Sequence, residues 1–267
     1  MTLYGVANLS SIPLRAAPSE RAEMVSQLLF GDAYHVEEEA EGWLRIRTCD
    51  CQYEGWLCAS LHNPLHEKDV DDYLRSEKYF LKDYLLFIKE FETEVTFPIM
   101  MGSSFPYPKD GMLILGNSVF KMELPKSNEM APVAGLTQQQ SELMRFAAGY
   151  LRTPYLWGGR TPAGIDCSGF SQIVYKSIGI NLPRDASQQV VCGTTVDFVE
   201  EARPGDLAFF QNEEGNISHV GIVCGKNAII HASCHVRIDT LDSTGIFCRQ
   251  RNCYTHTLRI IKRLLEL

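Results

Sequence analysis

Two periodicities divide the chain. From Thr137 to Tyr150 apolar residues return every three to four positions, with Leu143, Phe146, Ala147 and Tyr150 on one face, which predicts an amphipathic helix. Thr137 can cap it, and Gln140 three residues on completes a capping-box pattern. The same period recurs from Ser168 to Gly179, where Phe170, Ile173, Val174 and Ile178 share a face and Gly179 is a stop signal. Before these helices the pattern is shorter and alternating. Ile12-Pro-Leu-Arg15, Met24 to Phe30, Ala33 to Val36, Trp43 to Arg47 and Tyr53 to Leu57 are strand-like runs broken by glycine, proline or acidic clusters, as in a small β-barrel.

Residues 64–125 repeat the strand-like pattern in a more divergent form. Val70, Tyr73 and Leu74 predict a short helix, and strands follow over Tyr84–Phe91, Glu94–Phe97, Gly111–Leu115 and Asn117–Met122. The prolines at 125 and 132 bound a linker. After the second helix come a capped segment near Asp185 or Ser187, a turn at Pro204-Gly205-Asp206, and strands over Leu207–Phe210, around His219, around His231 and over Thr255–Arg263. Gly225-Lys-Asn227 predicts a hairpin between the two histidine runs. Helices ahead of antiparallel strands indicate an α+β domain. The expected organisation is a β domain over 1–63, a second over 64–125, a linker over 126–135 and an α+β domain over 136–267.

Composition narrows the function. The chain has 267 residues, 45% hydrophobic, enough for more than one core. Its net charge of −8 argues against nucleic acid or an anionic membrane as a partner. No apolar run approaches membrane-spanning length. The first residues lack a basic start followed by an apolar core, and nine scattered cysteines suit a reducing compartment. The expectation is a cytoplasmic protein, or an exported one whose leader has been removed.

The candidate chemistry centres on Cys167, at the start of a helix entered through the glycine-rich Tyr155-Leu-Trp-Gly-Gly-Arg segment. Free N–H groups and the helix dipole there favour a thiolate and offer an oxyanion site. A cysteine nucleophile needs a base. His219 heads one strand and His231 ends the next, so a hairpin would set them side by side, one as base and the other as its orienter. His35, His62, His66, His235 and His256 have no such context. Groups such as Cys49, Cys51, Cys58 and His62, or His231, Cys234 and His235, lack the spacing of a structural zinc site, and no metal or other cofactor is expected.

These residues stand in six ordered motifs: Tyr155-x-Trp-Gly-Gly, Asp166-Cys-Ser-Gly-Phe170, Leu182-Pro-Arg-Asp-Ala-Ser187, Arg203-Pro-Gly-Asp-Leu207, His219-Val-Gly-Ile222 and His231-Ala-Ser233. From about Leu136 onward the chain resembles the NlpC/p60 cysteine peptidases, papain-like enzymes that cut peptidoglycan stem peptides. The N-terminal pattern of Leu-Arg, Gln-Leu-Leu-Phe-Gly-Asp and two Gly-Trp-Leu steps resembles bacterial SH3-like domains. The implied fold is two small all-β SH3-like barrels followed by an α+β papain-like catalytic domain. The implied activity is hydrolysis of the γ-D-glutamyl-diamino acid bond, by Cys167, His219 and His231. Tyr155, Trp157, Asp166, Ser168, Arg184, Asp185 and Ser187 would bind the L-Ala-γ-D-Glu part, with Tyr155 assisting the oxyanion. Glu23 would meet the free amine of a small fragment and Tyr53 would help to bind it. The substrate partner is thus a peptidoglycan-derived peptide, and the expected state is a monomer. An amidase or acyltransferase on the same scaffold, or a wall-binding module, are the alternative readings.

Overall fold

The computed structural model describes residues 3–125 and 133–265, and most of the expected linker lies outside them. Two compact units emerge. One takes in the residues up to 125 together with 157–162, and the other the stretches 133–156 and 163–265.

In the first unit, alternation of buried and outward residues builds a seven-stranded sheet. Its order is Met24–Leu29, Ser11–Arg15, Glu54–Cys58, Trp43–Thr48, Ala33–Ala40, Tyr4–Val6 and Pro64–Leu65. Trp43–Thr48 shows the rule: Leu44 and Ile46 are buried among Ile12, Leu14, Leu28 and Leu57, while Arg45 and Arg47 face outward and pair with glutamates. A second core forms beside it. There the helix Glu67–Arg75 contributes Val70 and Tyr73, and a four-stranded sheet contributes Ile88, Ile99, Leu113 and Phe120. Val6 and Leu65 from the first sheet, and Phe30 from the turn after Met24–Leu29, complete this core, so the two β halves share apolar contact. Gly31 allows the approach, since at φ +88° a Cβ would strike the Ser104 carbonyl oxygen at 2.1 Å.

The excursion 157–162 is anchored by Arg160. Its side chain is 2% exposed, and Nη1 donates to the Gln27 carbonyl at 2.8 Å and to Asp32 Oδ2 at 3.0 Å. Its backbone N–H donates to Gln27 Oε1. Gly158, at φ +75°, passes so close to the Met24 carbonyl that a Cβ would sit 2.3 Å from its oxygen. The first glycine of the Tyr155-x-Trp-Gly-Gly motif therefore has a packing role: it lets this loop lie against the strand Met24–Leu29.

The second unit opens with the helix Gln138–Ala148, capped reciprocally by Thr137 and Gln140 as the sequence predicts. The helix Cys167–Lys176 is its buried centre, with every residue from Cys167 to Tyr175 covered. A sheet in the order Thr194–Val196, Cys253–Arg263, Leu207–Gln211, Ile217–Gly225, Ala228–Ser233, His235–Leu241 and Gly245–Cys248 packs against that helix. Gly245–Cys248 also pairs with Cys253–Arg263, so six of these strands close on themselves around Phe210, Val223, Ile229, Leu241 and Ile246. Helices followed by an antiparallel closed sheet give the α+β unit expected.

Candidate active site

Cys167 is the first residue of its helix. Asp166 caps that helix, its Oδ1 accepting from the Gly169 N–H at 2.6 Å. The backbone N–H groups of Ser168 and of Val220, the residue after His219, are near enough to Cys167 to favour its ionised form. The helix that begins at Cys167 packs against the strand that carries His219.

Beneath the turn, Asp166 and Arg184 form a bidentate pair at 3.1 and 2.6 Å, and Arg184 Nη1 also donates to Ser168 Oγ at 2.9 Å. Both charged side chains are buried, Arg184 2% and Asp166 7% exposed. Gln189, from the short helix Ala186–Gln189, donates to the carbonyls of Ser168 and Pro183 and accepts from Ser171, which locks the segment carrying Arg184 to the nucleophile helix.

The helix start does not lower the thiol's pKa as the sequence suggests. Burial pushes Cys167 up to about 11 and the Asp166 carboxylate adds to the push; the Val220 and Ser168 N–H groups and Arg184 pull the other way without cancelling it. His219 moves in the opposite sense, held well below its ordinary value by burial and then by His256, His231 and Arg237. Burial thus disfavours the charged form of both the thiol and the imidazole.

The strands Ile217–Gly225 and Ala228–Ser233 form the predicted hairpin, turning at Lys226-Asn227 with Asn227 at φ 55°. His219 Nε2 lies 2.9 Å from His231 Nδ1, with the rings edge-on at 85°. Gly221 makes this possible, because a Cβ there would lie 2.9 Å from His231 Cβ and 2.7 Å from Ile229 Cδ1. The glycine of His219-Val-Gly-Ile is thus required by the close approach of the two strands.

Three neighbours carry no motif that announces them. Asp239, on His235–Leu241, places Oδ2 3.1 Å from His231 Nε2 and 2.8 Å from Arg237 Nε. His256, which has no context in the sequence, stacks on His219 with centroids 4.1 Å apart and planes 26° from parallel. One signal exists: Arg237 and Asp239 share a face at strand spacing two positions apart, shortly after His231-Ala-Ser.

Among the described residues, His219, His231 and His256 carry nitrogens within 4.8 Å of one another, a possible metal-ligand group. The ring geometry speaks against one. Imidazole lone pairs lie in the ring plane, so the stacked His219 and His256 direct theirs along near-parallel planes rather than to a shared point. The nitrogens of His231 are engaged by His219 and Asp239. The cluster reads as a hydrogen-bonded stack.

The other expected site residues divide between the units. In the second, Tyr155 is half-buried and its hydroxyl is pushed up by burial, then by Cys167 and Asp166, so it keeps its proton. Asp185 opens the short helix on which Ser187 is exposed. In the first, the exposed Glu23 accepts a short hydrogen bond from the Trp157 indole N–H, and Tyr53 is half-buried with its N–H donating to Thr48 Oγ1 at 3.1 Å.

This arrangement has counterparts in known proteins. The NlpC/P60 family profile matches residues 152–253, and the bacterial dipeptidyl-peptidase SH3 domain profile matches residues 14–60. The probable endopeptidase NlpC of Escherichia coli (strain K12) is 38% identical over 127 residues, 46% of this chain and 77% of that protein. The chain belongs to the NlpC/P60 family. NlpC/P60 proteins are cysteine peptidases, which places this chain among the hydrolases. The gamma-D-glutamyl-L-lysine dipeptidyl-peptidase of Bacillus subtilis (strain 168) is 27% identical over 248 residues, 86% of this chain and 81% of that protein. The crystal structure of an NlpC/P60 family protein from Bacillus cereus ATCC 10987 has the same fold, with a TM-score of 0.78 at 20% identity, covering 97% of this chain and 99% of that one. An SH3-like region ahead of an NlpC/P60 domain is therefore the architecture of this chain. Among the described residues, no helix is long and apolar enough to cross a membrane.

Proposed function

We propose that the chain is a cysteine endopeptidase that hydrolyses the γ-D-glutamyl-diamino acid bond of peptidoglycan-derived peptides, acting on small fragments with a free N-terminal L-alanine. The observation that carries this reading is the packing of the Cys167 helix against the strand that bears His219, whose Nε2 is held 2.9 Å from His231 Nδ1.

With Nε2 engaged, Nδ1 of His219 is the nitrogen that takes the thiol proton. Since burial disfavours both charges, proton transfer accompanies attack: the S–H bond breaks toward Nδ1, the S–C bond forms, and the carbonyl π electrons move to oxygen. The Tyr155 hydroxyl is the candidate donor to that oxyanion. Collapse expels the diamino acid amine, which takes the proton from His219. Water, deprotonated by the same nitrogen, then cleaves the thioester and restores the thiol.

The substrate assignment is supported by the Bacillus subtilis relative's name, a dipeptidyl-peptidase of gamma-D-glutamyl-L-lysine. Glu23 suits a free amine, since a carboxylate that loses its ammonium partner discriminates against acylated peptides. Asp166, Ser168, Arg184, Asp185, Ser187, Trp157 and Tyr53 complete the proposed binding set. The single chain is the unit of function, because Cys167, His219 and His231 all come from it, and a preference for released fragments suits recycling in the cytoplasm.

Incubation with L-Ala-γ-D-Glu-diaminopimelate or its L-lysine counterpart, read by mass spectrometry, tests this. Free diamino acid and L-Ala-D-Glu are the expected products. An intact peptide at every pH, or transfer of the acyl group to an added amine in place of hydrolysis, contradicts it.

A further inference from the structure

Asp239 stands at the far end of the imidazole pair, and its charge state propagates along it. Its side chain is 9% exposed. Burial alone would raise its pKa, but the hydrogen bonds from His231 and Arg237 outweigh burial and hold it below the usual carboxylate range. An ionised carboxylate is acceptor-only. The charged or titratable groups around this pair are His235 and Arg237 on its own strand, His219 across the hairpin and His256 from the last strand.

Each hydrogen bond fixes the next proton. Oδ2 accepts, so His231 must carry its hydrogen on Nε2. Burial holds His231 below its ordinary pKa, and a neutral imidazole has one N–H, so its Nδ1 is a bare acceptor. The 2.9 Å contact to His219 then requires a hydrogen on His219 Nε2, which leaves Nδ1 of His219 bare. With no acceptor beside Nε2, His231 is free to carry its hydrogen on Nδ1 and donate it to His219; Nδ1 of His219 then holds the proton and cannot take one from a thiol. Arg237 cannot replace the carboxylate, because a guanidinium only donates.

We infer that Asp239 is a positioning residue that sets the tautomers of His231 and His219, extending the machinery by one residue beyond Cys167, His219 and His231. The step rests on the proposed reaction for its purpose but not for its test. Long-range proton–nitrogen NMR of the protein labelled with 15N-histidine reads each tautomer without substrate. In the unaltered protein both His219 and His231 show hydrogen on Nε2. Asp239→Ala moves a measurable fraction of His231 to the Nδ1–H form, lowers kcat about a hundredfold with KM within about twofold, and Asp239→Asn, whose amide oxygen still accepts, recovers part of the loss. A His231 Nδ1–H signal in the unaltered protein overturns the inference, whether or not the variants fold. So does a folded Asp239→Ala protein with unchanged kcat. Correct tautomers in a protein that cleaves no peptide would sink the proposed function and leave this inference standing.

Discussion

His231 sits across from Gly221, and the missing side chain there is what brings His219 Nε2 and His231 Nδ1 to 2.9 Å. Gly221→Ala would place a Cβ 2.7 Å from Ile229 Cδ1 and 2.9 Å from His231 Cβ, so the strands must part. The expected outcome is a stability loss of about 1–3 kcal/mol, as for overpacking elsewhere, with a larger loss of turnover than melting alone accounts for. Thermal melting and kcat on the same preparation check it.

Burial that pushes the Cys167 thiol up to about 11 predicts a definite reactivity profile. The rate of alkylation by iodoacetamide should climb by about tenfold per pH unit from neutral pH upward, because the thiolate fraction does so. A plateau on the acid side of neutrality would instead reveal a preformed thiolate–imidazolium pair.

The histidine stack also makes the second unit acid-sensitive. Burial holds His219 and His231 below 6.5, and holds His256 down to about 4 with help from His231 and Arg237. Between those values and 6.5 the unfolded chain binds more protons than the folded one, so stability falls as pH drops through this window. Asp239, whose pKa is lowered, loses its contribution only below about 3.8 and in the same direction. The melting temperature should decline steadily below pH 6.5, and the decline should be shallower in His256→Phe.

Arg184 is a buried cation whose removal strands the Asp166 charge beside Cys167. Arg184→Ala should cost about 3–5 kcal/mol in chemical denaturation, the range for breaking a buried pair. The double variant Arg184→Met with Asp166→Asn should recover part of that loss, because no unpaired charge is then left inside.

Glu23→Gln keeps an oxygen acceptor for Trp157 while removing the charge. If Glu23 selects a free amine, KM for L-Ala-γ-D-Glu-L-Lys should rise about two- to fivefold, the scale of one exposed ion pair, and hydrolysis of the N-acetylated peptide should be unaffected.

Much of the fold is legible in the order of residues alone. Local rules suffice where they are strong: the capping box of Thr137 and Gln140, the alternation of Trp43–Thr48, and the helical face behind Cys167. The hairpin setting His219 beside His231 follows from a glycine-containing turn between two apolar runs. Residues that depend on non-local pairing are not legible in this way. Tyr4–Val6 and Pro64–Leu65 are too short to show a period, yet they pair with each other. Asp239 and His256 reach the site only through strand order within the closed sheet. The thiol's environment reverses the sequence expectation because helix position is visible in sequence, whereas the burial that outweighs it is not. The first glycine of Tyr155-x-Trp-Gly-Gly likewise gives no sign of its contact with Met24.

The central claim is that the Cys167 sulfur becomes acylated. Acid quenching of the protein in mid-turnover with L-Ala-γ-D-Glu-L-Lys, followed by peptide mapping, should find the L-Ala-D-Glu acyl group on the peptide containing Cys167, and Cys167→Ala should show neither adduct nor product. Normal turnover by Cys167→Ala, or an adduct on another cysteine, would contradict it.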